Sequence, residues 1–110
     1  MATLCTRKCV PCEGGVAPLD EAAIKKLLHE LKDWRVEKNN KEIVKRFDFK
    51  NYYQTIAFVN AIAWFTHHED HHPDLEVSYN YCVVRYSTHA INGLSENDFI
   101  CAAKVDALIM

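Results

Sequence analysis

The chain has 110 residues, of which 49% are hydrophobic, enough for a single core but not for two domains of ordinary size. Its 13 basic and 15 acidic residues are interspersed and give a formal net charge of −2, which disfavours direct electrostatic binding of nucleic acid. The longest apolar runs, such as AIAWF, fall far short of the ~20 residues that a membrane helix requires, and the start, MATLCTRKCV, lacks a signal peptide's apolar centre. We therefore expect a soluble, cytoplasmic protein that contacts neither membranes nor nucleic acid directly.

The cysteines indicate reduced thiols rather than a disulfide framework, because there are five of them, an odd number. Cys82 and Cys101 lie in apolar periodic segments, where a free cysteine behaves as a small buried hydrophobe. Cys5, Cys9 and Cys12 have the spacing C-x3-C-x2-C, which would bind zinc if a fourth ligand came from elsewhere. No paired cluster completes such a site in the sequence.

The amino-terminal stretch, residues 1–18, is interpreted as a flexible cysteine-containing leader, and residues 19–110 as a single domain. Asp20 and Glu21 precede apolar residues that recur at spacings of three and four, which predicts a first helix near 19–31. Two short apolar segments follow, separated by KNNK, whose asparagines suit a turn. They predict a hairpin at roughly 34–38 and 42–49.

The longest predicted helix runs from Tyr52 to about Asp70, since Asn51 can cap it and no glycine or proline interrupts it. Projected at 100° per residue, it carries two apolar stripes on different sides. The first stripe consists of Tyr52, Ile56, Val59 and Ala63, and the second of Phe58, Ile62 and Phe65. A small one-layer domain covers only one side of such a helix, so the second stripe suggests self-association unless a loop or the leader covers it.

After Pro73, the segment LEVSYNYCVVRYST is rich in β-branched and aromatic residues and has Asn80 available for a turn, which predicts a second hairpin. Ser95-Glu96-Asn97-Asp98 resembles a capping box and opens a final helix. The predicted order is α-β-β-α-β-β-α. Two hairpins imply an α+β fold in which a four-stranded antiparallel sheet carries three helices on one face.

Five of the six histidines lie between the end of the long helix and the end of the second hairpin: His67, His68, His71, His72 and His89. Pro73 disfavours the α conformation at His72, so the helix should stop at about His71 and His72 should project from a turn.

The histidine cluster has three interpretations. The stretch HEDHH fits H-E-x-x-H with His68, Glu69 and His72, the pattern of a zinc hydrolase, but Pro73 undermines the continuous helical face that the motif needs. A purely structural interpretation has the histidines stabilise the helix carboxyl terminus through the macrodipole, each by only ~0.3–1 kcal/mol. A third interpretation is metal-free acid–base catalysis of an elimination, since imidazole exchanges protons near neutral pH.

The stretch DHHPDLEVSYNYCVVRYSTHAINGLSENDF, residues 70–99, closely resembles the pterin-4a-carbinolamine dehydratases. The resemblance is carried by the histidine pair before proline, by STH closing the hairpin, and by the Asp of GLSENDF. The order and spacing of the matching residues are specific: His71, His72, Pro73, His89 and Asp98. Weaker similarity extends from about Leu19 to the end.

The resemblance implies a hydro-lyase, 4a-hydroxytetrahydrobiopterin dehydratase, which converts 4a-hydroxytetrahydropterin to the quinonoid dihydropterin without metal or organic cofactor. It implies that His71 and His89 transfer protons at the 4a-hydroxyl and N5, and that His72 orients the substrate and stabilises the polarised intermediate. Asp98 and Pro73 are supporting residues. Five residues would line the pterin pocket beside the histidine pair: Asp70, Ser87, Thr88, His89 and Ala90.

The resemblance also implies partners. The reaction recycles the pterin used by aromatic amino acid hydroxylases such as phenylalanine hydroxylase, and family members form homodimers or homotetramers. Certain animal relatives act as dimerisation cofactors of a homeodomain transcription factor, which stays open as an alternative. The cysteine-containing leader looks more like that of bacterial members, for which the metabolic role is expected.

One position departs from the family pattern. The helical position four residues before His71 is often acidic in the family and is His67 here. A carboxylate there would hold the neighbouring imidazole and stabilise its charged form. Any such effect in this chain must come from Glu69, Asp70 or Asp98, or be absent.

Overall fold

The computed structural model describes residues 4–10 and 17–109. Three helices, α1 (Glu21–Leu28), α2 (Tyr52–Glu69) and α3 (Glu96–Ala107), alternate with four strands, β1 (Arg35–Glu37), β2 (Glu42–Asp48), β3 (Asp74–Val77) and β4 (Tyr81–Tyr86). Two single turns of 3₁₀ helix span Leu4–Thr6 and His89–Ile91. The predicted order α-β-β-α-β-β-α is confirmed.

The strands form one antiparallel sheet in the order β1-β2-β4-β3, so the two hairpins join along β2 and β4. Ile43 pairs with Tyr86 and Phe47 with Cys82 across this central seam. All four side chains are buried and belong to the same core cluster as apolar residues of the three helices. Along β4 the intervening residues, such as Arg85, are only partly buried. This alternation of period two confirms that the helices cover one face of the sheet.

Helix α1 is shorter than the predicted helix at 19–31. Asp20 caps it, because its side chain accepts a hydrogen bond from the Ala23 amide at 2.8 Å. At the other end, the amides of Glu30 and Leu31 donate to carbonyls three residues back, at 3.0 Å each. These tighter turns end the α-helix before the periodic apolar pattern ends.

Helix α2 begins as predicted, with the Asn51 side chain accepting from the Gln54 amide at 2.9 Å. Its last residue is Glu69, and Asp70 takes the left-handed conformation with φ of 51°. The helix therefore stops about two residues earlier than the predicted end at His71. The chain has already left the helix when it reaches the position that Pro73 restricts.

The expectation that the second stripe of α2 mediates self-association is wrong. Phe58 and Ile62 are 4% and 1% exposed and lie in the domain's own core. The outward side of the helix instead carries Tyr53 and Trp64, which are 80% and 75% exposed. The helical projection of the sequence separates the two apolar stripes of α2, but it does not show which stripe faces the sheet.

The amino-terminal residues 4–10 pack against α3. Leu4 is 3% exposed and joins the core cluster, and the Lys104 ammonium donates to the Cys5 carbonyl at 2.9 Å. The flexibility of the predicted leader, residues 1–18, stays a prediction, and its residues 1–3 and 11–16 lie outside the described residues. In the described part of the chain, no helix has both the length and the apolarity to cross a membrane.

The inward side of α2 yields a stability prediction. Replacing Phe58 with Ala should lower the free energy of unfolding by ~3–5 kcal/mol, because it leaves a cavity in the core. Replacing the exposed Tyr53 with Ala should change it by less than ~1 kcal/mol. Guanidinium unfolding followed by circular dichroism measures both. Equal losses in the two variants would contradict the assignment of the core-facing side.

Candidate functional site

A cavity of about 550 Å³ opens where the end of α2, the turn after β4 and the start of α3 meet. Its lining residues come from four separate parts of the chain: Cys9, Val10, Glu69, Asp70, His71, His72, Ser87, Thr88, His89, Ala90 and Asn97. The structure thus brings together all seven residues predicted to bind substrate, including the three histidines predicted to be catalytic.

The chain reversal after α2 places the histidine pair. The left-handed backbone at Asp70 turns the chain out of the helix, so that His71 and His72 lie outside any helix or strand, just before β3. The His71 side chain is 13% exposed, and its ring stacks on the Tyr86 ring at a centroid distance of 5.7 Å and an angle of 8°. His72 is exposed. The pair therefore consists of one fixed ring and one that reaches solvent.

The Asp98 carboxylate fixes the far side of the His71 ring. His71 Nε2 lies 2.6 Å from Asp98 Oδ1, and the Asp98 side chain is fully buried. The other oxygen, Oδ2, accepts hydrogen bonds from the Thr88 hydroxyl at 2.8 Å and from the Ser95 amide at 3.0 Å. The predicted capping box is confirmed, and the same carboxylate holds both the start of α3 and the imidazole.

This contact sets which nitrogen of His71 is available to a substrate. Opposite an ionised carboxylate, which only accepts hydrogen bonds, the matching tautomer of His71 carries its proton on Nε2 and donates the hydrogen bond to Asp98. The other ring nitrogen, Nδ1, makes no hydrogen bond to any residue in the described ranges. It is therefore the ring nitrogen of His71 that the contact with Asp98 leaves for proton exchange.

The third histidine lies on a short loop after β4. Thr88 forms an isolated bridge with Gly93, with the Thr88 amide donating to the Gly93 carbonyl at 2.8 Å. Between them, His89–Ile91 make one 3₁₀ turn and Asn92 is left-handed with φ of 51°. This closed loop presents His89 to solvent at the rim of the cavity. Thr88 is buried and joins the same loop to Asp98.

Sequence reasoning missed three lining residues and misjudged a fourth. Cys9, Val10 and Asn97 were not predicted to line the site, and Glu69 was considered only as a zinc-motif residue or as a partner that tunes a histidine. Glu69 Oε1 accepts from the Cys9 amide at 2.9 Å. No local pattern signals these contacts, because they join residues at least 60 positions apart. The position of His67 is exposed and lies outside the cavity lining.

Two thiols lie close together at the cavity, that of Cys9 in the lining and that of the buried Cys101. Cys9 Sγ is 3.4 Å from Cys101 Sγ, and Cys82 and Cys101 are free thiols, as predicted. Hydrogen bonding with Cys9 and burial together raise the pKa of the Cys101 thiol, and burial raises the pKa of Cys82 to about 11. Burial, with Cys101 next to it, also raises the pKa of the Tyr86 hydroxyl. These groups are uncharged near neutral pH, so the stacking partner of His71 carries no charge.

The zinc-hydrolase geometry is absent from the described ranges. Because α2 ends at Glu69, His68 and His72 do not share a helical face, and the His68 ring instead interacts with the Trp64 carbonyl at 2.9 Å. Within residues 4–10 and 17–109, no group of three or more His, Cys, Asp or Glu side chains is arranged to hold a metal ion. Cys12, the last member of the amino-terminal cysteine spacing, lies outside the described residues.

Comparison with known proteins agrees with this architecture. Residues 17–108 match the family model of pterin 4 alpha carbinolamine dehydratase. Proteins from Nitrosospira multiformis and Nitrosomonas europaea, both provisionally named pterin-4-alpha-carbinolamine dehydratase, are 59% and 62% identical over 96% of this chain, covering 91% and 92% of their own lengths.

Two solved structures share the fold. A protein described as a transcriptional coactivator/pterin dehydratase from Brucella melitensis has a TM-score of 0.81 and 29% identity, covering 84% of this chain and 99% of its own. A pterin dehydratase-like protein identified as a RuBisCO assembly factor in the alpha-carboxysome has a TM-score of 0.62 and 29% identity, covering 70% of this chain and 89% of its own. The match of the family model over most of the chain, together with relatives at about 60% identity, shows that the chain belongs to the pterin 4 alpha carbinolamine dehydratase family.

Proposed function

We propose that this chain dehydrates 4a-hydroxytetrahydropterin to the quinonoid dihydropterin by histidine acid–base catalysis. The observation that carries the proposal is the shared cavity of His71, His72 and His89, with Asp98 fixing the buried imidazole at 2.6 Å. A cavity of about 550 Å³ lies within the range of small-molecule sites and accommodates a bicyclic pterin.

The reaction moves two protons and breaks one carbon–oxygen bond. One imidazolium gives a proton to the 4a-hydroxyl, which leaves as water, while a neutral imidazole takes the proton from N5 as the C4a–N5 double bond forms. We assign these two steps to His71 and His89, whose duties depend on which face of the ring carries the hydroxyl. Asp98 fixes the orientation of the His71 ring through its hydrogen bond, in whichever direction the proton moves.

The remaining lining residues orient the ring. We assign to His72 the positioning of the substrate and the stabilisation of the polarised intermediate. Asp70 and the segment 87–90 supply carboxylate, hydroxyl and backbone groups suited to the donors and acceptors of a pterin. Thr88 is the exception, because its hydroxyl already donates to Asp98 and so acts through that residue.

The cellular role follows from this chemistry. A dehydratase of this kind recycles the tetrahydropterin that aromatic amino acid hydroxylases such as phenylalanine hydroxylase convert to the 4a-hydroxy form. We place the protein in the cytoplasm, whose reducing conditions suit its free thiols at Cys82 and Cys101. We assign no metal or organic cofactor, because the two proton transfers require none.

We propose a homodimer or homotetramer whose contact includes the outward side of α2, where Tyr53 and Trp64 are 80% and 75% exposed. A regulatory binding role is the second candidate function, because the solved structure from Brucella melitensis is described as a transcriptional coactivator as well as a dehydratase.

Sedimentation equilibrium tests the proposed self-association through the outward side of α2. Replacement of Trp64 by Ala should weaken self-association at least ~10-fold, and an unchanged equilibrium would exclude this face.

The histidine assignment makes a prediction about activity. His72→Ala, and the double change His71→Ala with His89→Ala, should each lower the catalysed rate by at least ~10²-fold, because they remove proton transfer or its stabilisation. Stopped-flow absorbance with freshly generated 4a-hydroxytetrahydropterin measures the rate. His67→Ala is the matched control, since His67 is an exposed histidine outside the cavity lining. Wild-type turnover in the double variant would remove the mechanism.

The Asp98 contact makes a second prediction. In Asp98→Asn the amide oxygen is needed to accept from the Ser95 amide, which leaves the NH2 group, a donor, facing His71 Nε2. The variant therefore no longer holds the proton on Nε2, and kcat should fall by ~10²–10⁴-fold with a smaller change in KM. Asp106→Asn is the control on the same helix, because Asp106 accepts from Trp34 Nε1 and Lys45 away from the cavity. A kcat that falls equally in both variants would indicate a general loss of structure instead.

A further inference from the structure

The amino-terminal segment Leu4–Val10 supplies part of the cavity lining although it lies outside the region that matches the family model. That region begins at residue 17, whereas Cys9 and Val10 line the same cavity as the three histidines. We call residues 4–10 the amino-terminal wall. Its contribution is therefore additional to what the matched domain, residues 17–108, provides by itself.

The wall is held by polar contacts at several points. The Asn97 side chain pairs with the Val10 backbone, because its Oδ1 accepts from the Val10 amide at 3.0 Å and its Nδ2 donates to the Val10 carbonyl. Glu69 Oε1 accepts from the Cys9 amide at 2.9 Å, and Arg7 pairs with Glu96 at 2.7 Å. Asn97 is 4% exposed, so the pair it forms with Val10 is shielded from competition with water.

These contacts leave the wall with little polar capacity towards the cavity. The amides of Cys9 and Val10 and the carbonyl of Val10 are already hydrogen-bonded. What Val10 offers to a ligand is its side chain, which belongs to a residue 66% exposed. A surface of this kind recognises shape and apolar contact rather than donors and acceptors.

The chemistry of a 4a-hydroxypterin indicates which part of the molecule meets such a wall. The pyrimidine edge carries amino, amide and carbonyl groups that need polar partners, and C4a and N5 must face the histidines. The substituent on C6, next to N5, is the part that varies between pterins and that requires no proton transfer. It is the part best matched to a wall with satisfied backbone groups.

We propose that the amino-terminal wall selects pterins by their C6 substituent, with Val10 in contact with that substituent and Asn97 as a positioning residue. The inference rests on the proposed dehydratase function. The inference assigns the wall to substrate binding and not to proton transfer. Loss of the contact between the wall and the substrate should therefore raise KM and leave kcat nearly constant.

The test compares two 4a-hydroxytetrahydropterins, one with an n-propyl group at C6 and one with a methyl group, so that the substituents differ only in apolar size. In Val10→Ala the KM for the larger substrate should rise about threefold to tenfold, with kcat and the KM for the methyl compound changing less than about twofold. Val77→Ala is the matched control, because Val77 is a 43% exposed valine on β3 outside the cavity lining. Val77→Ala should leave kcat and KM unchanged for both substrates.

Asn97→Ala provides the second variant and should reproduce the selective rise in KM, since it frees the Val10 backbone. Its thermal unfolding midpoint is measured as a control for folding. If Asn97→Ala does not fold, the KM values of Val10→Ala alone test the proposal. Unchanged KM values in Val10→Ala, or a loss of kcat with constant KM, would refute the proposed role of the amino-terminal wall in substrate selection. The proposed dehydratase function would stand. A wild-type chain that does not accelerate dehydration of either compound refutes the proposed function, and the inference with it.

Discussion

The buried carboxylate of Asp98 is the interaction on which the candidate site depends. Moving a carboxylate out of water costs several kcal/mol, and the cost is offset only if its oxygens find donors. Thr88, Ser95 and His71 supply those donors, at 2.8, 3.0 and 2.6 Å. Because they come from the loop after β4, the cap of α3 and the segment after α2, satisfying one carboxylate fixes the relative positions of three parts of the chain. Its place in the first turn of α3 adds a favourable interaction with the helix dipole.

This arrangement divides the histidines into one rigid and two accessible groups. His71 is held on both sides, by Asp98 at Nε2 and by the face of Tyr86. His72 and His89 are exposed at the same cavity. A fixed imidazole gives proton transfer a defined direction, since the reacting atoms must lie within hydrogen-bond distance. Accessible imidazoles exchange protons with water between turnovers, which a site with only buried groups could not do quickly.

The features that the sequence predicts correctly are local ones. The Asn51 cap and the Ser95–Asp98 capping box each depend on residues a few positions apart, so their spacing carries the information. The side of α2 that faces the sheet was not predictable, because two apolar stripes satisfy the same period and only packing against β4 chooses between them. The contact of Asn97 with Val10 spans 87 positions, and no periodicity records it. The histidines were identified by their resemblance to a family, and the periodic pattern alone left three interpretations open.

The charge of the cavity lining limits which ligands suit it. Within the described ranges its lining contains no lysine or arginine, so it lacks the cations that hold a phosphate or a carboxylate. Of its two acidic residues, Glu69 is already engaged by the Cys9 amide and lies 3.9 Å from the Lys104 ammonium, whereas Asp70 is exposed. One available carboxylate, hydroxyls and imidazoles suit an uncharged heterocycle that is rich in N–H donors. A pterin ring has this composition, whereas a phosphate group would find neither a lysine nor an arginine in this lining.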